Sequence, residues 1–271
     1  MLKAIFRNKL MVISVFILTA WAVAGIAGPF LSSYSYDEAD PAARFQAPSS
    51  AHPMGTDIMG RDVLARILFG ARISLLVGLS ATFVSVLIGT LYGTISGYYG
   101  GWLDSLMMRI VDIIYGLPYM IFVIILMVLI GRGISNIFIA LIAVMWLTMA
   151  RIVRGQVLSI KEKEYIEAAR ALGVNTSRII FRHIIPNITG VILIYAAIIV
   201  QEVILYESFL SFLGLGIQAP MCSWGSLTKD GVDVIMTGAN LWILVFPAGC
   251  LCIVLLALNI LSDKLRDKLA Q

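Results

Sequence analysis

Six stretches of the chain are nearly free of charge: 10–31, 73–97, 117–131, 134–150, 188–213 and 241–261. Crossing a bilayer core of about 30 Å takes roughly 20 helical residues, and these runs approach or exceed that length. The apolar positions are continuous. A membrane β-barrel would instead alternate apolar and polar residues along each strand. The pattern predicts an all-α integral membrane protein with about six transmembrane helices. It divides the chain into a cytoplasmic N-terminus with a first helix (1–31), an extracytoplasmic segment (32–72), and a core (73–271) of five further helices around a polar loop at 151–187.

Composition narrows the class. The 271 residues are 60% hydrophobic and only 13% charged, about half the charge of an ordinary soluble domain, which is roughly 25%. So little charge cannot cover a water-facing surface. That excludes most soluble enzymes, disordered chains and nucleic-acid binders. Cys222, Cys250 and Cys252 show no paired spacing and read as small apolar fillers plus one loop thiol, with no metal site.

The first run resembles a signal peptide, because Lys3, Arg7 and Lys9 precede it and Ala22-Val23-Ala24 looks like a cleavage site. The run continues to Leu31, long enough to span, so the first helix is expected to be retained. Placing the N-terminus inside puts fourteen Lys and Arg in cytoplasmic segments and six outside. The positive-inside rule then sets both termini in the cytoplasm. The segment 32–72 weakens the asymmetry with four Arg, although it also holds five acids.

Within the second run small residues recur every fourth position, at Ala81, Ser85, Gly89, Gly93 and Gly97, with a parallel row at Ser74, Gly78 and Thr82. Such rows let helix backbones approach closely. A flexible pore-lining face is the other reading. Pro118 and Pro247 are placed to kink the third and sixth spans. Glu202 and Glu207 fall in the fifth span beside Gln201. Intramembrane carboxylates usually face a pathway. For Glu207, a position wetted at the outer end is the competing reading.

The loop 151–187 carries seven basic residues and three acids. Glu162, Glu164 and Glu167 suit a helix N-terminus. Ile166, Ala168, Ala169, Ala171 and Leu172 give small or apolar contacts, and Gly173 suits a left-handed C′ position. Asn175, Thr176 and Ser177 offer a cap for a second helix, with Pro186 marking its transition into the fifth span. Such a helix–turn–helix could seat a small-residue ridge in a partner's groove, or be a linker without a partner.

The string Glu167-Ala168-Ala169-Arg170-Ala171-Leu172-Gly173, followed by Pro186, resembles the EAA loop of ABC importer permeases. His183 and Ile185 stand at that pattern's Ile and Leu positions, and Arg182 to Asn187 is similar to the peptide-importer branch. More strings resemble the C-type subunits of the dipeptide/oligopeptide (peptide/nickel) permease family. They include His52-Pro53-Met54-Gly55-Thr56-Asp57, Gly60-Arg61-Asp62, Gly97-Tyr98-Tyr99-Gly100-Gly101-Trp102, Val153-Arg154-Gly155-Gln156 and Leu210 to Gly216 with Trp224-Gly225.

The resemblance implies a type I ABC importer permease in a bacterial cytoplasmic membrane. It implies a second homologous permease, two cytoplasmic ATP-binding subunits and an extracytoplasmic solute-binding protein as partners, with lipid around the spans and no nucleic acid. Residues 162–174 would be the coupling helix, with Glu164, Glu167, Ala168, Ala169, Arg170, Leu172 and Gly173 at the ATPase contact. The chain has no phosphate-binding loop of the Gly-x-x-x-x-Gly-Lys-Ser/Thr type. No cofactor is therefore expected on this chain, ATP is used by the partners, and the chain itself is not an enzyme. Di- and oligopeptides are the expected cargo; nickel or another small solute is the alternative within the family. A proton-coupled secondary transporter would need internal repeats, which are not evident, and a coupling site, for which only Glu202 offers a hint.

Overall fold

A computed structural model describes residues 9–236 and 240–269. Lys3 and Arg7 of the charge count lie outside the described residues. The described chain is helical: α1 (Lys9–Leu31), α2 (Val63–Tyr99), α3 (Gly101–Tyr115), α4 (Tyr119–Ile130), α5 (Ile134–Ile160), α6 (Glu164–Ala171), α7 (Thr176–Phe212), α8 (Trp224–Ile235) and α9 (Trp242–Leu269). Five helices are long and apolar enough to cross a membrane, and α3 with α4 makes a sixth if that bent pair is one span.

The second span starts ten residues earlier than its hydropathy predicts. Asp62 caps it, its side chain accepting from the Ala65 backbone N–H at 2.7 Å. Arg66 and Arg72 interrupt the apolar run in sequence; Arg72 is exposed and Arg66 is neutralised in place. It donates to Asp57 at 2.6 Å and to Asp230 at 3.2 Å. At 37 residues the helix is about 55 Å long, well beyond the roughly 30 Å of hydrocarbon.

The third span departs most from expectation. The apolar run at 117–131 is α4, a helix of 12 residues, about 18 Å long and too short to cross alone. It joins α3 at a bend of 82°. Pro118 is the cause. It disfavours helical backbone at Leu117 and offers no N–H to continue α3, so the helix breaks there instead of kinking. Pro247, by contrast, lies inside α9.

α2 lies between α5 and α7. Its row Ala81, Ser85, Gly89, Gly93 and Gly97 is buried, and the lower part lies on α5. A methyl group at Gly89 would strike Met149 and the Trp146 carbonyl, and one at Gly93 the Ala150 carbonyl. The second row meets α7, where a methyl group at Gly78 would strike Ile204. Both rows are therefore used within this chain, for close backbone packing. A smaller cluster under α8 buries Ile67, Trp224 and Val254.

The second hairpin helix and the fifth span are one continuous helix, α7. A π-helical segment at Ile180–Ile184 precedes Pro186, with Ile185 N–H bonded to the Ile180 carbonyl. The wider turn accommodates a proline that would otherwise clash with the preceding turn.

Candidate functional site

The loop expected to dock a partner forms a hairpin between α5 and α7. α6 carries Glu164 and Glu167 in its first turn, where acidic groups favour the helix dipole. Its end is a Schellman turn. Gly173 has φ +75, its N–H bonds to the Arg170 carbonyl at 2.9 Å, and Val174 N–H bonds to the Ala169 carbonyl at 3.1 Å. Asn175 then caps α7, accepting from Ser177 N–H at 3.1 Å.

The helix has two faces. Ile166 and Ala169 are buried against the bundle, while Glu164, Glu167, Ala168, Arg170 and Gly173 are exposed and Leu172 is 84% exposed. Ala169, expected on the partner-facing ridge, is turned inward. It falls three residues after Ile166, on the same helix face. The exposed surface thus joins two carboxylates and a guanidinium to an uncovered leucine. α6 is tied to the bundle through Arg170, whose guanidinium lies 5.0 Å from the Tyr98 ring centre. Lys161, just before α6, donates to the Gly97 carbonyl at 2.8 Å.

At the opposite end, Glu207 is fully buried. Its carboxylate accepts from Ser74 at 3.1 Å and Ser211 at 2.8 Å. Ser74 Oγ in turn accepts from Trp224 N–H at 3.3 Å. Glu207 therefore binds α2, α7 and α8 together and reaches neither water nor headgroups in this conformation. The sequence-level pair of readings, pathway or wetted end, does not describe it. What the sequence concealed was this serine cradle, since Ser74 is 133 positions away.

Two further features at this end of the bundle went unread in sequence. His52 Nδ1 lies 2.9 Å from Asp62 Oδ2. Lys229 donates to Asp233 at 2.6 Å, which raises the pKa of the ammonium above its usual value. Cys222, read as a loop thiol, is buried beneath α2 and donates to the Arg66 carbonyl at 3.4 Å. Cys252 is the exposed one, on an apolar helix. No metal-binding cluster occurs among the described residues.

Glu202 is half-buried in a cavity of about 330 Å³ beside the α3–α4 break, lined also by Pro118, Tyr119 and Tyr206. The structure keeps Glu202 and Glu207 apart in role: one faces a cavity, the other is walled in.

A helical multi-pass membrane protein with an exposed hairpin at one end and a cavity at a broken span is the class that fold and site define. The family described as "Binding-protein-dependent transport system inner membrane component" matches residues 89–271, and the N-terminal transmembrane domain of oligopeptide transport permease C matches residues 1–48. The chain is 48% identical to an oligopeptide transport system permease protein of Haemophilus influenzae, over 98% of this chain and 86% of that protein. It is 49% identical to the oligopeptide transport system permease protein of Escherichia coli K12, over 98% and 88%. It is 47% identical to a dipeptide transport system permease protein of Bacillus subtilis, over 97% and 82%. A chain of the MetNI methionine ABC transporter in inward-facing conformation shares the fold, with TM-score 0.61 and 19% identity over 76% of this chain and 95% of that one.

The chain belongs to the family of binding-protein-dependent transport system inner membrane components, and it is a multi-pass inner membrane protein.

Proposed function

We propose that this chain is a permease subunit of an ATP-binding-cassette importer that carries di- and oligopeptides inward. In that reading it forms the pathway with a second homologous permease. Two cytoplasmic ATPase subunits hold the pair from below, and an extracytoplasmic binding protein delivers cargo. Both termini and α6 lie on the cytoplasmic side, and the segments before α2 and around α8 lie outside. ATP is spent on the partners and this chain catalyses no reaction.

The observation that carries the proposal is α6. It is a short helix with an exposed Glu164–Glu167–Ala168–Arg170–Leu172 surface, joined to α5 and α7 by short hydrogen-bonded turns. A partner that pulls on it moves two spans at once. The peptide cargo is supported by the relatives, whose names specify oligopeptide and dipeptide transport.

The test is uptake of labelled di- and oligopeptides by a strain lacking this chain, with and without the chain restored. Uptake should return with the chain and stop on ATP depletion while the proton gradient is intact. Uptake that survives ATP loss would reassign the chain to secondary transport. Protease applied from outside should cut within 32–60 and 213–223; cutting there only from the cytoplasmic side reverses the orientation.

A further inference from the structure

The cavity at the α3–α4 break holds a carboxylate that the chain leaves unanswered. Glu202 is half-buried and makes no hydrogen bond or ion pair among the described residues. The hydroxyl of Tyr119 is buried in the same wall and also has no partner. The Tyr119 and Tyr206 rings stand 4.7 Å apart, tilted by 33°. A third tyrosine, Tyr115, completes the aromatic wall. The nearby cation is already engaged: Arg151 sits 4.0 Å over the Tyr115 ring and donates to Asp112 at 2.6 Å.

Glu202 lies ten positions before the end of α7, about 15 Å along the axis from it. A carboxylate at such depth is costly unless it faces a cavity with a task. The break beside it serves the same cavity, because non-helical backbone is tolerated in a membrane only where it is buried in protein or lines a cavity. A carboxylate among tyrosine faces is matched by an ammonium group. The group donates to the carboxylate, and its charge is drawn to the electron-rich ring faces. A volume of about 330 Å³ has room for an amino group and the residues attached to it.

We propose that this cavity is an ammonium subsite on the transport path, in which Glu202 and the hydroxyl of Tyr119 take the amino group of passing cargo while Tyr119 and Tyr206 flank it. The assignment rests on the reading of the chain as an importer of amino-bearing peptides.

The test uses the assembled complex, with its partner permease, ATPases and binding protein, in proteoliposomes. Thr148, on the cavity wall, is changed to Cys, and its labelling by a trimethylammonium thiosulfonate reagent is compared with that by a sulfonate reagent of similar size. Leu117→Cys, at the half-exposed mouth, repeats the measurement if the first variant fails to assemble. Adding Glu202→Gln should lower the cation-to-anion rate ratio about tenfold, the size of a lost charged hydrogen bond, and Glu202→Asp should preserve the ratio. A ratio unmoved by Glu202→Gln overturns the proposal, as it would for a glutamate that simply stays protonated. ATP-driven uptake of trialanine supplies the second arm. Its kcat/KM should fall about tenfold in Glu202→Gln and recover in Glu202→Asp. A purely packing role gives the reverse order, since Gln keeps the shape, and overturns the proposal too. If the unmodified complex moves no peptide, the importer reading fails on its own, while the labelling ratio still decides the subsite.

Discussion

Arg154 on α5 grips Asp104 on α3 through two parallel hydrogen bonds, Nε to Oδ1 at 2.5 Å and Nη2 to Oδ2 at 2.6 Å. Ser96 on α2 donates to the same carboxylate at 2.5 Å, so three helices meet at one acid. The Arg154 side chain is 34% exposed and that of Asp104 11%. Water therefore screens part of the interaction. Asp104→Asn should cost about 1–2 kcal/mol, at the lower end for a charged bidentate bond. Thermal unfolding of the purified complex at low and high salt reads it. A melting point identical to the parent in both salts would remove the junction from the stability account.

The left-handed turn at Gly173 separates two substitutions of different shape. A side chain there would meet nothing within 4 Å, but φ is +75, so any penalty is backbone strain and not collision. Asn tolerates that region and Val does not. Gly173→Asn should keep peptide uptake, while Gly173→Val should lose it with the protein still inserted. Equal uptake in the two variants would detach the turn from coupling.

Gly93 poses the opposite problem. Its conformation is ordinary, but a β-carbon would land on the Ala150 carbonyl and the Arg154 backbone. Backbone cannot rotate aside as a side chain can, so Gly93→Leu should cost about 3 kcal/mol, the upper range for overpacking. Size-exclusion profiles after graded heating measure it. Gly155 has open space around it, and Gly155→Ala provides the tolerant control.

The thiol of Cys222 is pushed up to about 11 by burial, against an ordinary 9.0. Its thiolate should be scarce at neutral pH, and maleimide should reach it only after unfolding. The folded value exceeds the unfolded one. The stabilising contribution is thus full below about pH 9 and lost as pH rises through about 11. Mass spectrometry of alkylated protein across pH 7–11 follows both effects. Rapid labelling of Cys222 in the folded complex at pH 7 contradicts the burial.

Much of this architecture is legible in the residues. Apolar runs placed both ends of α1 and one end each of α5, α7 and α9 to within a residue, because hydrocarbon length acts directly on composition; the other ends continue for 8–12 residues as polar helix, which hydropathy does not see. Gly173 and Asn175 announced their turn by local chemistry alone. The misses have non-local causes. Arg66 and Arg72 together hid ten residues of α2, and the acids that neutralise Arg66, Asp57 and Asp230, come from elsewhere in the chain. Pro118 was read as a kink, and whether a proline bends a helix or ends it depends on the packing around Leu117. Ala169 looked like its neighbours in the string, and only Ile166 three positions earlier reveals the inward face. The candidate site was half visible: both glutamates stood out by type, but hydroxyls scattered over α2 and α7 decide which one is free.

The helix from Thr176 to Phe212 is held at both ends by turns of the same design, at Gly173 and at Gly214, whose φ values are both +75. At about 1.5 Å per residue it makes a stiff connecting rod of some 55 Å. The hairpin on one face and the Glu207 junction on the other are therefore two points on a single helix, and the two ends of the path share one mechanical element.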